Sequence, residues 1–155
     1  LTAGSLCRGH NMKYTEFADS GRMVSKVAFG AMGLNCAFGN FDENDLIRAV
    51  HHSLDKGVNF IDTAEMYAVP PSENTYGTTE TIIGNWLANN KQRRSDFVLA
   101  SKIAGNGIPW IRHGGDITGE WIVKSIDASL KRLQTEETLT CLLIKAETIP
   151  NYAQF

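Results

Sequence analysis

The chain holds 155 residues, 43% of them apolar and 21% charged, and its 15 Lys and Arg against 17 Asp and Glu leave a net charge of −2. That is one ordinary globular domain with its own core, and the near balance of charge, without a dense basic block, excludes nucleic acid and anionic membrane as expected partners. No run reaches the roughly 18 consecutive apolar residues of a spanning helix, and the three cysteines, Cys7, Cys36 and Cys141, form no C-x-x-C pair, which disfavours zinc or a disulfide framework and suits a reducing cytoplasm.

Leu1 to Asn11 has no period and no secretory apolar segment, and reads as a leader, tag or frayed terminus ahead of Met12. Lys13 to Phe17 alternates, Asp19-Ser20-Gly21 signals a turn and Met23-Val24 resumes, which predicts a small hairpin. Val27 to Phe29 opens a buried strand that breaks at Gly30-Ala31-Met32-Gly33. Glycines there either let the backbone approach something flat or simply turn the chain. Asp42 can cap the next helix, whose Leu46, Ile47, Val50 and Leu54 fall at helical spacing. Asp42, Glu43 and Asp45 crowd its first turn, Lys56 closes the last and Gly57 stops it. The adjacent His51 and His52 point about 100° apart. They cannot form an i, i+4 metal pair and read as a solvated helix face.

Val58 to Ile61 is a short buried strand ending at Asp62, and Tyr67 follows on the next loop. In a barrel of parallel strands, chemistry gathers where strands end, so the pair suggests an active site. The plainer alternative is a helix-capping Asp and a Tyr that packs. Beyond the polar loop Ala68 to Gly77, Thr78 or Thr79 opens a second helix with Ile82, Ile83, Trp86 and Leu87 on one face, Trp86 among the core. Lys91 to Ser95 is a basic, solvated loop. Asp96 to Ser101 is a third buried strand ending in Lys102, which either snorkels at the rim or is a cation held against Asp62. Gly105 to Gly119 is a long loop containing Trp110 and His113. Thr118 caps a third helix with Ile122, Ile126, Leu130 and Leu133 as its core stripe. Leu139 to Ile144 is the fourth strand, ending at Lys145, and Ala146 to Phe155 is an irregular tail.

Short apolar strands alternating with helical segments predict a parallel sheet with helices packed outside it. A small doubly wound sheet and part of a (β/α)8 barrel compete. The G-x-G-x-x-G loop of a dinucleotide-binding sheet is absent, which favours the barrel. The expected fold is therefore α/β, a partial (β/α)8 TIM barrel of about four β-α units over residues 12–145, preceded by the hairpin.

Several stretches resemble the aldo-keto reductases, nearest their Tas-like and potassium-channel β-subunit-like branch. They are Met12-Lys13-Tyr14 with Asp19-Ser20-Gly21, Phe29-Gly30-Ala31-Met32, Gly57 through Tyr67 (GVNFIDTAEMY), Thr79-Glu80 through Leu87, Ala100-Ser101-Lys102, and Ser129 through Thr135 (SLKRLQT). The resemblance implies NADPH-dependent reduction of an aldehyde or ketone, with Asp62, Tyr67 and Lys102 as catalytic residues. Gly30, Ala31, Met32 and Asp62 would line the nicotinamide side of the site, and no metal is implied. Hydride adds to the carbonyl carbon, and the developing alkoxide takes a proton from Tyr67. An ammonium beside a phenol favours the phenolate and makes the phenol a better acid. Asp62 would keep Lys102 charged and fixed.

The family's fourth residue, a His at the end of the fourth strand, has no counterpart. Lys145 falls at its position if one residue is inserted after Thr135. A full barrel takes about 250 residues, whereas four units are found here, and the segments that in this family hold the pyrophosphate, adenine and 2′-phosphate have no counterpart. A truncated or frame-altered chain, or an engineered half, is expected, self-associating through exposed sheet edges. The alternative to a reductase is a catalytically silent remnant that associates with a partner chain.

Overall fold

The computed structural model describes residues 12–35, 43–136 and 140–143. The expected leader and tail, the Asp42 cap, Cys7, Cys36 and Lys145 lie outside the described residues. The hairpin forms as its turn signal predicts. Strand β1 (Tyr14–Glu16) pairs antiparallel with β2 (Met23–Ser25), Thr15 opposite Val24. Side chains pin it to residues 57–59. The Tyr14 hydroxyl donates to the Gly57 carbonyl at 2.8 Å, and Asn59 Oδ1 accepts from the Ser25 amide at 2.6 Å.

Four parallel strands come next, β3 (Phe29–Gly30), β4 (Phe60–Asp62), β5 (Val98–Ile103) and β6 (Thr140–Leu143), lying side by side in chain order. Helices α1 (Glu43–Asp55), α2 (Thr78–Asn89) and α3 (Gly119–Leu133) make the crossovers. Sequential order with one helix per crossover belongs to the barrel. A doubly wound sheet reverses its order at a switch point. The sheet is open among the described residues, with β3 and β6 as its edges. Strand bounds follow pairing more than hydrophobicity. Val27 is 59% exposed and precedes β3, whereas β5 runs past Lys102 because its pairing with β6 continues to Ile103 opposite Leu143.

The core lies between sheet and helices. Val50 and Leu54 of α1, Ile83, Trp86 and Leu87 of α2 and Leu133 of α3 enclose Ile61 and Leu99 from the strands. Gly57 ends the chain's turn out of α1 at φ 89°, a conformation that glycine adopts without penalty. Thr118 caps α3, its Oγ1 accepting from the Trp121 amide at 3.3 Å.

Three sequence expectations are corrected. First, the α3 stripe is not fully buried: Ser125, Ser129 and Leu133 face inward, and Ile122, Ile126 and Leu130 are half-buried. The reason is polar contact at a close helix crossing. A Cβ on Gly84 of α2 would lie 1.9 Å from the Arg132 carbonyl oxygen, and the inward serines serve polar contacts instead, Ser125 to Arg112 and Ser129 to Arg132. Second, His51 is not simply solvated, because its Nε2 accepts from Trp86 Nε1 at 2.9 Å and the rings meet edge to face. Third, Lys91–Asp96 is a short 3-10 helix rather than a free basic loop. Its Arg93 donates to Asp96 at 2.7 Å and Arg94 to the Phe97 carbonyl at 3.0 Å.

A buried polar knot joins the two later helices to the sheet. Glu80 of α2 is fully buried, accepting from Ser101 Oγ at 2.5 Å and from Arg132 Nε at 2.6 Å. Both carboxylate oxygens are thereby satisfied, as burial requires.

Candidate active site

Successive side chains of a strand point to opposite faces. Ile61 and Leu99 join the helix-packed core and Ser101 reaches Glu80, so Asp62 and Lys102 alternate with them onto the other face. Asp62 stands at the last position of β4, and Lys102 next to the last of β5, at the carboxyl ends where a barrel builds its chemistry.

Lys102 is 8% exposed and does not snorkel. Its Nζ donates to Asp62 Oδ2 at 2.5 Å and to the Thr63 carbonyl at 2.7 Å. The same nitrogen sits 5.2 Å from the centre of the Tyr67 ring, within cation–π range. Asp62 does not cap a helix either, since Gly77 occupies the capping position of α2. One ammonium thus gathers the carboxylate of β4 and the phenol of the loop after it. The Asp62 side chain keeps 32% exposure, so the pair opens to solvent on one side.

The loop after β4 remains tied to β5 beyond the last strand residue. The Thr63 amide donates to the Ala100 carbonyl at 2.8 Å, and the Glu65 amide to the Lys102 carbonyl at 2.9 Å. The Glu65 carboxylate then accepts from the Ala104 amide at 2.8 Å and from Arg112 Nη1 at 3.4 Å. Glu65 and Arg112 were absent from the sequence-based site. Glu65 does stand within the GVNFIDTAEMY stretch, but Arg112 lies in an aperiodic loop with no signal of its own.

Gly30 pairs in register with Asp62. A Cβ built on Gly30 meets nothing within 4 Å, so open space adjoins the carboxylate there. That bare, exposed backbone leaves room for a flat ring of the kind a nicotinamide presents. Ala31 is fully buried in the core cluster, which leaves only its backbone for such a role, and Met32 is half-buried. Trp110, on the loop after β5, has a buried indole nitrogen without a protein partner, and so does the Thr63 hydroxyl. Among the described residues no group of three His, Cys, Asp or Glu side chains is placed to hold a metal ion.

Residues 26–144 match the model of the aldo/keto reductase family. Protein tas of Escherichia coli K12 is 37% identical over 129 residues, covering 81% of this chain and 36% of that protein. L-galactose dehydrogenase of Arabidopsis thaliana is 34% identical over 119 residues, covering 76% of this chain and 33% of its own length. The chain therefore spans about a third of the curated relatives it matches. A solved aldo-keto reductase-type protein from Pseudomonas aeruginosa superposes with a TM-score of 0.63 at 23% identity, over 84% of this chain and 45% of the other, a likeness of fold. No described helix is long and apolar enough to cross a membrane.

Proposed function

The chain belongs to the aldo/keto reductase family of oxidoreductases, and from that premise we propose that it takes part in NADPH-dependent interconversion of a small carbonyl compound and its alcohol, with Tyr67 as the proton donor. The observation that carries this reading is the single Lys102 ammonium shared by Asp62 and the Tyr67 ring at the strand ends.

NADPH, when bound, supplies the hydride. Gly30, in register with Asp62, would offer its open backbone face to the nicotinamide. The Tyr67 phenol gives its proton to the carbonyl oxygen as negative charge develops there. Positive charge held over the ring stabilises the phenolate left behind. Asp62 and the Thr63 carbonyl fix that charge in position, so little reorganisation is needed at the moment of transfer. The reverse direction uses the same groups, and the relative named a dehydrogenase bears that direction in its name.

Titration with NADPH while protein fluorescence is followed, then turnover of a generic aldehyde, tests the reading. Quenching and turnover are expected, and Tyr67→Phe should lose turnover while keeping the quenching. Absence of binding at millimolar cofactor, or turnover indifferent to Tyr67→Phe, overturns it.

A further inference from the structure

Glu65 and Arg112 form a buried ion pair that the reaction itself does not use. Glu65 is 5% and Arg112 8% exposed. Burying two charges is unfavourable unless each is paired and its remaining hydrogen-bonding capacity is met. Most of that capacity is met by backbone at one place. While Arg112 Nη1 contacts Glu65, Nη2 donates to the Ala104 carbonyl and, at 2.8 Å, to that of Gly105. Arg112 Nη1 also contacts Ser125 Oγ of α3 at 3.3 Å, leaving Nε without a partner. From the other side, Glu65 holds the Ala104 amide with its carboxylate and the Lys102 carbonyl with its own amide. The peptide units directly after Lys102 are thus gripped from both directions.

The backbone is bent to achieve this. Arg112 and His113 take φ of 52° and 53°, the left-handed region that side-chain-bearing residues seldom enter. Such conformations persist only where the surroundings over-determine them, and they gather at functional sites. Glu65 lies two residues before Tyr67, and Ala104 two residues after Lys102.

We infer that the Glu65–Arg112 pair is a positioning clamp, which sets the Tyr67 loop against the Lys102 strand end by joining both to the loop after β5. Glu65 and Arg112 act through Tyr67 and Lys102 and are positioning residues; they touch no reacting atom. The inference rests on the proposed roles of Tyr67 and Lys102 for its catalytic consequence, but not for the geometry it asserts.

The test compares Glu65→Gln, Arg112→Met, the double variant and the conservative Arg112→Lys in the full chain. Three readouts are followed: hydrogen exchange over residues 63–69 and 104–112, the signal of fluorotyrosine at position 67, and aldehyde turnover. Each of the two non-conservative single variants should speed exchange in both segments together, shift the Tyr67 signal, and lower kcat by roughly 10- to 100-fold with a smaller change in KM, as misplacement of about 1 Å does. The double variant should cost less than the sum of the singles, because each single already removes the Glu65–Arg112 interaction. Arg112→Lys should recover part of the loss, and it covers the case in which a harsher variant fails to fold. Lower melting temperature with an unmoved Tyr67 signal and unchanged exchange over 63–69 overturns the clamp. Should the unaltered chain reduce no aldehyde, the functional reading falls, and the clamp is still decided by exchange and the Tyr67 signal.

Discussion

The Lys102 ammonium lies over the ring of Tyr67, 5.2 Å from its centre, and directs its two hydrogen bonds elsewhere, to Asp62 and the Thr63 carbonyl. The two members of the ion pair are not equivalent to solvent. Lys102 is nearly closed off, whereas the Asp62 side chain is 32% exposed.

Opposite halves of the pair should therefore respond unequally to removal. Asp62→Ala strands a buried ammonium and is expected to lower stability by roughly 2–3 kcal/mol, below a fully buried pair because water reaches that side. Lys102→Met leaves a carboxylate that water can solvate and should cost about 1 kcal/mol. Urea denaturation of the two variants checks the order. Both should lose aldehyde turnover by roughly 10²-fold or more.

Glu80→Ala should destabilise the chain by roughly 2–3 kcal/mol. It leaves the buried Ser101 hydroxyl and the Arg132 guanidinium, whose side chain keeps 21% exposure, without their shared acceptor. Glu80→Gln keeps one acceptor and should fall between. Calorimetric melting of the three proteins gives the ranking.

Gly84→Ala adds one methyl group where the Arg132 carbonyl oxygen would stand 1.9 Å from it. Neither helix backbone can yield without moving its neighbour, so a loss near the upper end of the roughly 1–3 kcal/mol range for overpacking is expected. An equilibrium denaturation curve with a large drop in midpoint supports this. Ser129→Ala, on the facing helix, should be far milder.

His51→Leu removes the acceptor of the Trp86 indole N–H and replaces it with apolar bulk. A buried donor left unsatisfied costs roughly 1–3 kcal/mol. A blue or red change in tryptophan emission should accompany the lost stability, reporting that the indole has changed its surroundings.

As an isolated polypeptide of these 155 residues, the chain is expected to self-associate. Within the described residues β3 and β6 pair on one side only, and unpaired strand edges are templates for further pairing. Light scattering at tens of micromolar should find species heavier than one chain. A clean monomer speaks against it.

Much of the architecture was legible because it depends on local signals. The turn at Asp19-Ser20-Gly21, the Thr118 cap and the glycine stop at Gly57 each act within a few residues, and each element formed where its signal lay. The position of Asp62 at a strand end was legible for the same reason. What the pattern could not reveal depends on pairs far apart in sequence. Nothing near His51 announces Trp86, thirty-five residues away, and nothing near Glu65 announces Arg112, forty-seven away. The α3 stripe misled because helical periodicity identifies an apolar side. It does not reveal that Ser125 and Ser129 are drawn inward by contacts to Arg112 and Arg132.

The two amide bonds from Thr63 and Glu65 to β5 carry sheet geometry past the end of β4. The lever that aims Tyr67 is consequently anchored before the segment Ala68 to Gly77 begins. Ala68 is buried and Gly77 is held at positive φ against Arg132, so the two ends of that segment are fixed, and alternative loops could be grafted only between them while Tyr67 and Lys102 stay aligned.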